Sequence, residues 1–343
     1  MKIKKGQQLE AVIEDIAFGG RGLTRIDGLA VFVDQAVPRD RALIRIVKKK
    51  KNYAEARVVD LIEPSPFRIS PPCRYSGYCG GCKWQFLDYA RQLEYKRRHV
   101  AESLEHIGLM HDIPVHPVIE SPQVWAYRNK MEFSCSDRRW LMPEEMGCED
   151  IDRGFALGLH VPGTYHKVLD TEACLLFPEE GNTILDAVRQ YIKGSGVPVY
   201  GLRSHEGFWR FVMLRHSAAH DQWMVNMVTA TEDQAVVGPL AEQLTRRFPR
   251  VVSVVNNITA RRAGVAVGER EVLLAGEACL KDRINGFQFE ISANSFFQTN
   301  TRGAEKLYQT VKTFAGLSGQ ESVLDLYCGT GTIAICLSDS ARE

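Results

Sequence analysis

A multidomain chain, all-β at its N-terminus and α/β beyond, is predicted by three features of the sequence. Residues 7–62 run as short apolar segments punctuated by glycine turns, residues 118–290 mix helical and strand periodicities, and the last fifty or so residues set an apolar run directly before a glycine-rich turn. A length of 343 residues allows two to four domains with ample core. Apolar residues make up 45% and charged residues 25%, ordinary values for a globular protein, and no apolar stretch reaches transmembrane length. The polar start, Met1-Lys-Ile-Lys-Lys-Gly-Gln-Gln, has no apolar segment behind it, so the chain is expected to be cytoplasmic, off the membrane, with its cysteines reduced.

The N-terminal region, 1–62, reads as five strands: Leu9–Ile16, Arg21–Ile26, Leu29–Val33, Ala42–Lys48 and Tyr53–Leu61. Gly19-Gly20, Asp27-Gly28, Val37-Pro-Arg-Asp40 and a lysine run separate them, a pattern expected to close into a small OB-like barrel. The net charge of +1 hides an asymmetry, because residues 1–51 hold twelve Lys/Arg against six Asp/Glu and end in Lys48-Lys49-Lys50-Lys51. A polyanionic partner fits that imbalance, with Phe18, Arg21, Phe32 and Tyr53 as further candidates for contact. Taken alone, four consecutive lysines are more simply a solvated hairpin tip.

Residues 63–85 begin with the Pro-rich linker Glu63-Pro-Ser-Pro-Phe67 and carry Cys73-Arg-Tyr-Ser-Gly-Tyr-Cys79-Gly-Gly-Cys82. Thiols packed this tightly in a reduced setting are expected to hold a metal, and Gly77, Gly80 and Gly81 let the loop fold back to aim them. A [4Fe-4S] cluster takes four thiolates, whereas structural zinc commonly uses paired cysteine or histidine knuckles; the loop contains no histidine. A disulfide pair is disfavoured by the compartment. The next thiols are Cys135, Cys148 and Cys174, and Cys174, in the short apolar run Thr171–Phe177, is taken as the fourth ligand.

Segment 86–117 is expected to be helical from an Asp88 cap, with Leu93, Val100, Leu104 and Ile107 on one face, packing on the catalytic domain, and Lys96, Arg97 and Arg98 on the other. Within 118–290 the pattern predicts a hairpin, Phe211–Leu214 with Trp223–Val228, then a helix at Leu240–Phe248 and a strand at Val251–Asn256. Tyr127-Arg128-Asn129-Lys130 joins aromatic and basic residues, and Arg128 is a candidate RNA contact.

In 291–343 a helix is expected at Gly303–Phe314, then an apolar strand at Ser322–Tyr327, the turn Cys328-Gly-Thr-Gly331 and a helix from Thr332. Gly329 and Gly331 bare the backbone for a cofactor. Asp325 beside them would repel a pyrophosphate but suits the cationic amino-acid end of S-adenosylmethionine (SAM). Cys328 is expected to pack under the cofactor rather than to act as a nucleophile.

The basic barrel, Cys-x5-Cys-Gly-Gly-Cys, Tyr127-Arg-Asn-Lys130, Ser295-Phe-Phe-Gln-Thr-Asn300 and Asp325-Leu-Tyr-Cys-Gly-Thr-Gly331 follow one another in an order that resembles the RNA uracil-C5 methyltransferases. The similarity runs the length of the chain and is strongest to the branch with an N-terminal TRAM domain and a [4Fe-4S] cluster, which methylates 23S ribosomal RNA. The resemblance implies Cys73, Cys79, Cys82 and Cys174 as cluster ligands and Gln298, Asp325, Tyr327, Gly329 and Gly331 as the SAM site. It also implies a monomer that attacks uracil C6 with a cysteine thiolate. The family's nucleophile, its base and its Asp-Pro-Pro-Arg motif find no match here, so these 343 residues are expected to be a truncated and by themselves inactive chain. The competing reading is an RNA-binding iron–sulfur or zinc protein without methyl transfer.

Overall fold

The computed structural model describes residues 3–148, 150–262 and 264–342, and the chain divides into two compact units, 1–120 and 121–343.

The first unit is a six-stranded sheet of β1 (Gln8–Val12), β2 (Asp15–Ile16), β3 (Gly22–Ile26), β4 (Leu29–Asp34), β5 (Arg41–Lys49) and β6 (Tyr53–Glu63). Their order is β1-β5-β6-β4-β3-β2. The expected barrel is corrected to an open sheet, because among the described residues no ladder joins the outer strands β1 and β2. The first expected strand breaks in two at Ile13, whose backbone turns aside to bond Asp40 O and Arg39 N. Strict alternation along β5, Ala42, Ile44 and Ile46 inward and Arg41, Leu43 and Arg45 outward, buries one face against Val31, Val33, Ala54 and Ala56.

Helix α1 (Tyr89–Glu102) starts where expected, with the Asp88 carboxylate accepting from Ala90 N at 3.1 Å and Arg91 N at 3.3 Å. Its buried face is not the expected one. Val100 and Ile107 are exposed, and the helix is anchored through buried His99, whose Nε2 lies 2.8 Å from Ile16 O, and through Arg98 to Asp15. A polar anchor replaces an apolar stripe because strand β2 presents the Ile16 carbonyl and the Asp15 carboxylate to the helix.

The second unit is built on a mixed sheet of order β14-β13-β12-β11-β7-β9. Its strands are β7 (Lys130–Ser136), β9 (Ala156–Gly158), β11 (Trp209–Ser217), β12 (Gln222–Thr229), β13 (Val251–Ile258) and β14 (Arg270–Gly276), and short β8 (Arg139–Trp140) pairs separately with β10 (Val168–Leu169). The expected hairpin is β11–β12 and the expected strand is β13. Helix α3 (Gln234–Arg247) crosses between parallel β12 and β13. Helices α2 (Glu179–Gly194) and α3 cover one face through Ile184, Leu185, Val188, Leu240 and Leu244 against Val212, Leu214 and Val225. On the other face Met224 and Val255 meet Leu280 of β15 (Leu280–Ile284), which forms a hairpin with β16 (Phe287–Ile291). Sheet strands covered on both sides explain why β11, Trp-Arg-Phe-Val-Met-Leu-Arg, is buried with no alternation, its two arginines included.

Helix α4 (Thr301–Ala315) is capped by Asn300 and stopped by Gly316 at φ +58°. Helix α5 (Thr332–Leu337) follows the glycine turn. The expected strand Ser322–Tyr327 is not one: the segment is irregular, with Leu324 81% and Leu326 70% exposed. An apolar run makes a strand only when a neighbour satisfies its backbone, and among the described residues none pairs with it.

Half-buried His160 gives a first prediction. Its Nε2 lies 2.7 Å from Ser134 Oγ, its Nδ1 is buried without a hydrogen-bond partner, and burial lowers its pKa below 6.5. The folded state therefore keeps the ring neutral, while the unfolded chain takes up the proton as pH falls through 6.5. Stability is full above that pH and drains away below it. His160→Gln should flatten the acid limb of a denaturation-midpoint profile relative to the parent chain; an unchanged limb would remove His160 as its source.

Candidate cofactor site

Two motifs far apart in sequence meet at Tyr308. This buried residue of α4 shares side-chain hydrogen bonds with Gln298, from Ser295–Asn300, and with Thr332, the first residue of α5 after the glycine turn. Burial pushes its hydroxyl pKa up, and the two hydrogen bonds partly offset this. Tyr308 and Thr332 were not singled out from the sequence. The available signal was the amphipathic pattern of α4, in which a tyrosine on the inner face implies a polar partner for its hydroxyl.

Gln298 is held from below by a buried polar chain. Asn129 Nδ2 donates to Gln298 O at 2.7 Å and to Thr301 Oγ1 at 2.8 Å, and Asn129 N donates to Thr299 O at 2.8 Å. Thr301 Oγ1 donates in turn to Asp282 Oδ2 at 3.3 Å. Arg215, almost wholly buried, donates to the carbonyls of Ala293 and Ser295; desolvation lowers its pKa to about 10. The adjacent phenylalanines diverge, Phe297 packing against Phe289 while Phe296 faces solvent.

Across the turn, Tyr327, Gly329 and Gly331 adopt φ of +63°, +59° and +70°. A Cβ on Gly329 would meet nothing within 4 Å, so the bare backbone borders open space. Tyr327, a non-glycine residue in the left-handed region, carries about 1–2 kcal/mol of strain and has a fully exposed ring. One carboxylate oxygen of Asp325, Oδ2, is buried with no hydrogen-bond partner. An orphaned acceptor beside bared backbone fits an ammonium or hydroxyl-bearing ligand. Cys328 is exposed.

The other expected sites lie elsewhere. The cysteine loop belongs to the first unit and is pinned to the sheet by Trp84 Nε1 to Gly20 O at 3.0 Å, Lys83 Nζ to Gly19 O at 3.2 Å and Gln35 Nε2 to Gly77 O at 3.1 Å. Cys73, Cys79 and Cys82 are partly exposed, and Gly81 N donates to Cys79 Sγ at 3.4 Å. Among the described residues no group of three or more His, Cys, Asp or Glu side chains is gathered closely enough to hold a metal. The donor chemistry suits a soft metal; the gathered geometry is not displayed. In the second unit Cys174 is fixed by Asn182, whose Oδ1 accepts from Cys174 N at 2.9 Å. Cys135 is a core thiol whose pKa is pushed up to about 12 by desolvation.

Lys48–Lys51 lie at the exposed β5–β6 hairpin, with Lys48 paired to Glu55 at 3.0 Å. Phe32 and Tyr53 pack edge to face at 5.8 Å. Phe18 is 87% exposed. Arg128 is half-buried, and its Nε reaches Lys130 O at 3.3 Å. Among the described residues no helix is long and apolar enough to cross a membrane.

Comparison with known proteins bears on both units. A TRAM domain model matches residues 2–59. An uncharacterized RNA methyltransferase of Chlorobaculum tepidum is 40% identical over 348 aligned residues, covering 100% of this chain and 72% of the relative. The chain belongs to the RNA methyltransferase family. A second member, from Porphyromonas gingivalis, is 38% identical over 96% of this methyltransferase and 72% of its own length. The chain thus spans about 72% of the length of each of these two relatives. In fold it is similar to the tRNA (uracil-54, C5)-methyltransferase of Pyrococcus abyssi, solved in complex with S-adenosyl-L-homocysteine, at a TM-score of 0.70 and 24% identity, covering 96% of this chain and 70% of that one.

Proposed function

We propose that this methyltransferase transfers a methyl group from SAM to C5 of uridine in RNA, with 23S ribosomal RNA as substrate. The observation that carries the reading is the junction at Tyr308, which brings Gln298 and Thr332, the residue after the glycine turn, together. The relatives named as RNA methyltransferases and the fold similarity to a uracil-C5 enzyme support it. SAM supplies the electrophilic methyl group when bound. Gln298 would hold it by hydrogen bonding, Asp325 would accept from its ammonium or hydroxyl groups, and Gly329 and Gly331 would let it approach the backbone. Uracil C5 is a poor nucleophile, and the reading includes a covalent cysteine adduct at C6. No residue of this chain is assigned as that cysteine or as the base. The substrate arm is tested by competition: 23S rRNA fragments should displace a labelled RNA better than transfer RNA does, and the reverse order would overturn it.

Calorimetric titration with S-adenosylhomocysteine tests the cofactor site. The parent chain should bind, and Gln298→Ala should weaken binding by about tenfold, the worth of one buried hydrogen bond at the upper end of its usual range. Absence of binding by the parent chain would overturn the cofactor assignment and favour an RNA-binding protein without methyl transfer.

The four thiolates Cys73, Cys79, Cys82 and Cys174 are further proposed to bind a [4Fe-4S] cluster with a structural role. Anaerobically purified protein should contain about four iron and four acid-labile sulfide per chain. Cys82→Ser should lose both, and Cys279→Ser neither. Zinc without sulfide would replace the cluster with a structural zinc site.

A further inference from the structure

A second basic feature of the central region is used by none of the chemistry above. At the end of β7 a cavity of about 490 Å³, a size that accommodates a nucleotide, is walled by Arg138, Arg139 and Trp140 on one side and by His166, Lys167 and Arg203 on the other. Arg139 is neutralised by Glu145. Among the described residues no ion pair joins Arg138, Lys167 or Arg203 to a carboxylate, and Asp137 is the only acid in the wall. The positive potential is felt inside it: Arg203 and Lys167 add to desolvation in lowering the pKa of His166, whose Nδ1 is buried without a partner.

The cavity stands apart from the cofactor site. Asn129, which clamps Gln298, immediately precedes β7, whereas Ser136, which lines the cavity, ends it. Seven residues of extended strand put about 20 Å between them.

We infer that this cavity is a second RNA-holding site, in which Arg138, Lys167 and Arg203 take backbone phosphate and the Trp140 ring receives the attached base. The pairing of unneutralised cations with an aromatic wall is what single-stranded nucleic acid needs. The inference rests on the reading of RNA as substrate. It makes β7 a ruler: the strand fixes the spacing between the nucleotide at the cofactor and a nucleotide held in the cavity.

Fluorescence anisotropy with a fluorescein-labelled oligouridylate, titrated over a salt series, tests it. The double variant Arg138→Ala/Arg203→Ala should bind about ten- to a hundredfold more weakly, and the slope of log K against log salt should fall by about two. Arg246→Ala/Arg262→Ala, which removes the same charge from exposed sites outside the cavity, should leave the slope near the parent value. Trp140→Ala should weaken binding and Trp140→Phe restore it, with all variants melting near the parent temperature. Equal losses in the two arginine double variants, or no loss in either, would overturn the cavity assignment while leaving RNA binding intact. Failure of the parent chain to bind the oligouridylate would overturn the RNA reading itself.

Discussion

Replacing Arg68 with alanine should destabilise the first unit by about 3–5 kcal/mol, the usual result of stripping one partner from a buried ion pair. Asp40 is fully buried and accepts from Val37 N at 2.7 Å, Ser65 N at 2.9 Å and the forked Arg68 guanidinium at 3.1 and 2.5 Å. Arg68 also donates to Gln35 O at 2.8 Å and lies 5.2 Å from the Phe86 ring centroid. Without it a carboxylate remains in the interior with only two backbone donors. Arg68→Lys should recover part of the loss, because a single ammonium cannot reproduce the bidentate fork. The effect should reach the cysteine loop, since Arg68 bridges Leu87 across the loop's two ends. Denaturant unfolding gives the magnitude, and amide exchange at β1–β6 locates it; a loss under about 1 kcal/mol would show that the pair is not energetically buried.

The second large effect is expected at Asp282. This wholly buried carboxylate accepts from Ser217 Oγ at 3.1 Å, Ala219 N at 3.0 Å, Arg283 N at 3.0 Å and Thr301 Oγ1 at 3.3 Å. Asp282→Ala leaves these donors without their acceptor in a dry site and should cost about 3–5 kcal/mol. Asp282→Asn should cost less, because one oxygen still accepts while the amide faces a donor. Both variants should also weaken S-adenosylhomocysteine binding, because Thr301 and Asn129 hold the backbone on which Gln298 sits. Loss of stability with cofactor affinity unchanged would show that Gln298 keeps its place without this support.

Much of the architecture was legible residue by residue. The Asp88 cap, the β11–β12 hairpin and the strand β13 follow from capping, turn and periodicity rules that act over a few neighbours, whereas α3 and α4 begin at Gln234 and Thr301, upstream of the expected Leu240 and Gly303. His99 was hidden because its anchor, Ile16 O, is a backbone atom more than eighty residues away and leaves no mark on helical periodicity. Asn129 was noted for its basic neighbours, yet its work is to bind the backbone of Gln298 and Thr299, a role visible only when residues about 170 positions apart adjoin.

The sequence by itself determined most of the element types it named, the spacing of the cysteine loop and the Gln298 and Gly329–Gly331 motifs, because these depend on short-range stereochemistry and on residue chemistry. Tertiary structure alone decided that the first sheet stays open, that Ser322–Tyr327 finds no strand to pair with, that Cys135 is a core thiol and that Tyr308 joins the two motifs. Each of these turns on which distant backbone or side chain arrives to satisfy a polar group or exclude water, and local sequence carries no record of that partner.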